Sequence, residues 1–155
     1  MKTVNEIKRI CNLGCGTMGF GTAIAFAQHG YEVNMFGRKD ASIDRAMGNI
    51  RATLAIMKAN ELLTDEGEIA LLKRIHGVTT IEEAAKDADF VLESVAEDMA
   101  VKQQVYRELE GYLAPDIILQ PIHRGSCRRK LRHTWRIRNG LSSPIFGIRP
   151  TSSPW

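Results

Sequence analysis

The sequence predicts an α/β domain with one parallel sheet, crossover helices and a helical hairpin. Two observations carry this. Short apolar runs alternate with stretches of helical periodicity through residues 1–120, and a glycine-rich loop stands between the first run and the first helix. The composition agrees: 155 residues, 44% hydrophobic and 25% charged, bound one soluble domain of ordinary make-up. At that length roughly two-thirds of the unfolded chain's surface is buried on folding, so no disulfide staple is needed.

The elements follow in order. Ile7-Lys8-Arg9-Ile10-Cys11-Asn12-Leu13 reads as the first strand, and Met18 to His29 as a helix stopped by Gly30. Glu32-Val33-Asn34-Met35-Phe36 places apolar residues at alternate positions, which marks a second strand. Ile43, Met47, Ile50, Leu54 and Met57 share one helical face, and Ile69, Leu72 and Ile75 continue the pattern in a second helix after Thr64. Those two helices form the hairpin. Val78-Thr79 is a short strand, and Thr80 with Glu83 has the spacing of a capping box for the helix after it. Phe90-Val91-Leu92-Glu93-Ser94 is the next strand. Val101, Val105, Leu109 and Leu113 mark a helix ended by Pro115, and Ile117-Ile118-Leu119 is the last strand. Alternation of this kind calls for right-handed crossovers.

The net charge of +3 hides a break in composition after Gln120. Residues 121–155 carry eight of the 21 Lys+Arg (Arg124, Arg128, Arg129, Lys130, Arg132, Arg136, Arg138 and Arg149) and none of the 18 Asp+Glu, which leaves residues 1–120 at −5. Both tryptophans and four of the five prolines also lie there, without helical or strand period. Basic segments of this type serve as nucleic-acid arms or solvated tails.

The three cysteines, Cys11, Cys15 and Cys127, fit neither a disulfide framework nor a zinc site, and no metal constellation is expected. With no apolar segment behind Met1-Lys2 and no run approaching ~18 apolar residues, a cytoplasmic protein without a membrane span is expected. Cys11 reads as a small core residue. Cys15 reads as a loop side chain, with mild activation at a helix N-terminus as the other reading.

Gly14-Cys15-Gly16-Thr17-Met18-Gly19 fits Gly-x-Gly-x-x-Gly between a strand and a helix, the context of a Rossmann-type dinucleotide site. Gly14 suits the tight turn, Gly16 lets a pyrophosphate approach the backbone, and Gly19 lets helix and strand pack closely. The N–H groups around Thr17 and Met18 then face the phosphates. A glycine turn without ligand is the weaker alternative. An Asp or Glu at the end of the second strand would accept from the ribose 2′-OH of NAD, but Gly37 stands there. Arg38 follows, either pairing with the 2′-phosphate of NADP or lying solvated in the loop, and Asp40 is the nearest carboxylate.

With this loop, the hairpin, and Val91-Leu92-Glu93-Ser94-Val95-Ala96-Glu97-Asp98 followed by Lys102, the chain resembles the NAD-binding domain of 3-hydroxyacyl-CoA dehydrogenases from about Ile7 to Gln120. The resemblance implies an oxidoreductase of fatty acid metabolism that moves hydride between a 3-hydroxyacyl-CoA and NAD(P). It implies that Glu97 and Lys102 help hold the cofactor, that the hairpin lies near the acyl-CoA, and that intact members are homodimers through a C-terminal helical domain. The alternative for Glu97 and Lys102 is an exposed strand-to-helix junction.

Two departures stand out. Family members usually carry an acid at the position of Gly37, and the family continues after the Ile117–Leu119 strand with an Asn-Thr-Ser turn in place of the basic tail. Reading the tail in a shifted frame, with synonymous codons chosen freely, turns residues 135–155 into Glu-Asn-Pro-Glu-Arg-Phe-Val-Ile-Ala-His-Phe-Trp-Asn-Pro-Ala-His-Leu-Ile-Pro-Leu, which resembles the family's catalytic segment. The same shift turns Pro121–Ser126 into Asn-Thr-Ser-Gly-Leu after the first joint codon. Residues 121–155 are therefore expected to be out of frame, the chain truncated without its helical domain, and no catalytic residue present.

The family's base is the His of Ala-His-Phe, oriented by a following Glu. His29, His76, His123 and His133 lie outside that motif. Three functions compete: a dehydrogenase by ancestry that is inactive as written, a non-catalytic NAD(P)-binding module, and, last, a nucleic-acid arm in which cations and Trp135 contact phosphates and bases.

Overall fold

In a computed structural model, residues 6–95, 98–113 and 117–122 are described. Five strands, β1 (Arg9–Leu13), β2 (Glu32–Phe36), β3 (Ile75–Val78), β4 (Phe90–Glu93) and β5 (Ile118–Pro121), pair in parallel in the order β3-β2-β1-β4-β5. Parallel strands need crossovers, and the helices supply them: α1 (Thr17–Gln28), α2 (Asp40–Ala59), α3 (Asp65–Lys73), α4 (Ile81–Ala85) and α5 (Met99–Glu110). The chain winds outward from β1 to β3, then returns to the other side of β1 to build β4 and β5.

Both faces of the sheet are covered, so its strands read as near-continuous apolar runs. On one face Ile10, Val33 and Met35 pack with Ala23, Ile24 and Ala27 of α1, Ile50 and Leu54 of α2, and Leu71 of α3. On the other, Cys11, Leu13 and Val91 pack with Ala84 and Ala85 of α4 and Val105 and Leu109 of α5. Alternate residues of β1 therefore serve opposite layers, with Cys11 in the core as its sequence context suggests.

Local chemistry sets the helix starts. Thr80 Oγ1 accepts from the Glu83 N–H at 3.2 Å and donates to Glu83 Oε2 at 3.0 Å, the expected capping box. Thr64 caps α3 by accepting from the Gly67 N–H. The α2–α3 hairpin is clamped by Lys58, whose Nζ lies 2.5 Å from Asp65 and 2.7 Å from Glu68. Hydrogen bonds to those two carboxylates raise the Lys58 pKa, and the same contact lowers that of Asp65.

One element differs from expectation. Ile75 ends no helix: α3 stops at Lys73, and Ile75 opens β3 opposite Val33, so the strand is Ile75–Val78 and not Val78-Thr79. Ile75 falls three residues after Leu72 and so mimics a helical face, while His76 and Gly77 weaken the strand signal. His76 lies within that strand, with Nε2 2.9 Å from Glu32 Oε2.

Candidate functional site

The site forms where the winding reverses, at the C-terminal ends of β1 and β4. In open α/β sheets that reversal opens a crevice beyond the strand ends. The 14–19 loop leaves β1 there and enters α1. Gly14 takes φ +120°, a left-handed value that side chains disfavour, and donates its N–H to the Phe36 carbonyl at 3.1 Å. A Cβ on Gly14 would lie 2.7 Å from the Ser94 carbonyl oxygen, and one on Gly19 would collide with the Gly14 carbonyl. β4 buttresses the loop from behind, because the Ser94 N–H and Oγ both donate to the Leu13 carbonyl, at 2.8 and 3.1 Å. Asn12, buried in β1, holds the other side by donating from Nδ2 to the Gly19 carbonyl at 2.6 Å.

Gly16 is different. A Cβ there would meet nothing within 4 Å, and Gly16, Thr17 and Met18 are all exposed. No side chain caps α1, whose first N–H groups and positive dipole end adjoin the open side of the loop. Two glycines are thus closed by the fold and the third faces open space, the arrangement that fits a dinucleotide's pyrophosphate. Gly19→Ala is expected to destabilise the domain by roughly 1–3 kcal/mol, since the added methyl meets backbone that cannot swing away. A urea midpoint unchanged by that substitution would contradict this packing.

At the end of β2, Gly37 is buried and Arg38 is exposed, as is Asp40 at the start of α2. The Cys15 thiol is half-buried; burial raises its pKa, and its own backbone hydrogen bond and the Arg45 guanidinium only partly oppose this. Activation of Cys15 at the helix N-terminus is therefore not what the site provides. Cys11, deep in the core, is pushed up to about 12 by burial.

Lys102 departs from the exposed-junction alternative. It is no part of an exposed junction: its side chain is fully buried, and Nζ lies 3.1 Å from each carboxylate oxygen of Glu93. The same carboxylate accepts from the Val95 N–H at 3.0 Å and from the Tyr106 hydroxyl at 2.7 Å. β4, the turn after it and α5 are tied together by this one group. Glu97 lies outside the described residues. Among the described residues no cluster of His, Cys, Asp and Glu has the makings of a metal site, and no helix is long and apolar enough to cross a membrane.

Comparison with known proteins agrees with this geometry. The chain is 34% identical over 107 residues to a probable 3-hydroxybutyryl-CoA dehydrogenase of Deinococcus radiodurans, a match covering 69% of this chain and 38% of that protein. It is 32% identical over 114 residues to a probable 3-hydroxybutyryl-CoA dehydrogenase of Bacillus subtilis, covering 74% of this chain and 39% of the relative. The chain thus spans about two-fifths of the length of these relatives. Among solved structures, the (S)-3-hydroxybutyryl-CoA dehydrogenase PaaH1 from Ralstonia eutropha superposes with a TM-score of 0.71 at 27% identity, over 75% of this chain and 41% of that one. Residues 9–121, more than half of the chain, match the family described as 3-hydroxyacyl-CoA dehydrogenase, NAD binding domain, and to that family the chain belongs.

Proposed function

We propose that residues 1–120 bind NAD(P) as the dinucleotide half of a 3-hydroxyacyl-CoA dehydrogenase. The observation that carries this is the open face at Gly16, set between two glycines that the fold closes and beside an α1 N-terminus that no side chain caps. The pyrophosphate lies on the backbone of residues 14–19, near Thr17 and Met18. Arg38 reads the adenosine end, where its guanidinium favours a 2′-phosphate. Glu97 contributes at the cofactor by family resemblance. Lys102 serves the site from below, by holding Glu93 and through it the Val95 turn. When bound, the nicotinamide supplies the hydride chemistry on an acyl-CoA substrate.

The tail belongs to another account. Residues 121–155 are the out-of-frame continuation of the same gene, so the chain as written binds cofactor and carries out no dehydrogenation. The charge break, the loss of periodicity and the family-like string in the shifted frame support this. A non-catalytic NAD(P)-binding module is the second reading, and a nucleic-acid arm ranks last because the shifted frame accounts for the charge of the tail.

Calorimetry with NADH and NADPH on the 155-residue chain tests the binding proposal. Arg38→Ala is expected to weaken NADPH selectively, by about 1–3 kcal/mol, as a hydrogen bond to a charged group is lost. Unchanged binding of both would make Arg38 a solvated loop residue, and equal weakening of both would place it on a part the two coenzymes share. Binding of neither by the unaltered chain would overturn the dinucleotide reading.

A further inference from the structure

We infer that Ile43 and Cys15 are specificity-determining residues: together they close the space beside Gly37 and so exclude the carboxylate that would select a ribose hydroxyl. The inference rests on the dinucleotide site proposed above and concerns its adenosine end.

Gly37 is buried immediately after β2, and its N–H donates to the Val78 carbonyl at 3.0 Å, which fixes it against β3. A Cβ built on Gly37 would stand 2.7 Å from Cys15 Sγ and 2.7 Å from Ile43 Cδ1. At those distances both atoms must shift before a side chain fits. Ile43 is wedged across two glycines, its Cγ2 occupying the place of a Cβ on Gly77 while its Cδ1 covers Gly37. Its β-branch leaves χ1 little freedom in a helix, which fixes Cγ2 at Gly77 and Cγ1 at 3.2 Å from the Gly37 Cβ. Cys15 is held by the glycine loop and has one side-chain torsion.

The consequence is chemical. A carboxylate at the end of β2 accepts from ribose hydroxyls and repels a phosphate in their place. Here the backbone position that would carry it is plugged by a thiol and a methyl group, and the next side chain outward is the exposed Arg38. Lys39 and Arg45 are also exposed nearby in sequence, against Asp40 and Asp44. The ligand class this end takes is an adenine dinucleotide bearing a 2′-phosphate. The plug also explains Gly77 in a strand: β3 needs a glycine where Ile43 crosses it.

The test is calorimetric titration of the 155-residue chain with NADH and with NADPH, with a melting scan of each variant. Gly37→Asp alone is expected to lower the melting temperature and to gain no NADH affinity. Adding Cys15→Ala and Ile43→Val makes room, the latter removing only Cδ1 and leaving Cγ2 on Gly77. This triple variant is expected to gain NADH affinity about tenfold or more over Gly37→Asp alone and to lose the preference for NADPH, as one charge-assisted hydrogen bond implies. A Gly37→Asp chain that fails to fold while the triple variant folds supports the plug as well. The inference is overturned if Gly37→Asp alone gains NADH at unchanged melting temperature, or if the triple variant folds and gains none. Those failures differ from failure of the dinucleotide site itself, in which the unaltered chain binds neither coenzyme.

Discussion

Lys102→Ala is expected to destabilise the domain by about 3–5 kcal/mol, because it removes one partner of a buried ion pair and leaves the other charge behind. Glu93 and Lys102 are both fully buried, and both carboxylate oxygens meet the ammonium at 3.1 Å. Without it, Glu93 keeps the Val95 N–H and the Tyr106 hydroxyl, two neutral donors for a full charge. Against a total stability of roughly 5–15 kcal/mol, that loss is a large share. Urea unfolding at fixed pH measures it, provided the m-value is unchanged. Glu93→Gln combined with Lys102→Met should recover much of the loss, since no charge then stays buried. A single-variant loss below ~1 kcal/mol would show that the pair contributes little.

Those two residues also mark the limit of what the sequence discloses. The strand and helix order, the glycine loop and the Thr80 cap follow from periodicity and spacing within a few residues, and these were legible. The Glu93–Lys102 pair joins a strand to a helix across nine positions, where no local period applies. A signal was present nonetheless: an acid ending the apolar run Phe90-Val91-Leu92 in a strand covered on both faces must find a cation or several donors. Asn12 in β1 carries the same kind of signal, answered at Nδ2 by the Gly19 carbonyl. Gly37 was legible only as a missing acid. Its packing against Cys15 and Ile43 depends on how α2 crosses β3, and β3 itself was hidden by the helical spacing of Ile75.

The largest expected effect concerns catalysis. The 155-residue chain is expected to form no measurable NAD(P)H from 3-hydroxybutyryl-CoA, and the gene restored to frame after Gln120, expressed to its own stop codon, is expected to form it readily. Residues 121–155 contain His123 and His133 but no Ala-His-Phe; on the out-of-frame proposal, the bases for that His are divided between Pro144 and Ile145. A general base positioned on the 3-hydroxyl is worth ~10²–10⁴-fold in rate. His29 and His76 do not substitute for it: His29 Nδ1 lies 2.8 Å from the Ala25 carbonyl at the far end of α1, and His76 pairs with Glu32 on neighbouring strands. Changing the restored His to Ala should therefore lower the rate by about 10²–10⁴-fold while NAD(P)H binding persists. Sequencing the encoding DNA across codon 120 checks the frame independently of activity. Dehydrogenation by the 155-residue chain at the rate of the restored enzyme would refute the out-of-frame account and require a base among residues placed here in structural roles.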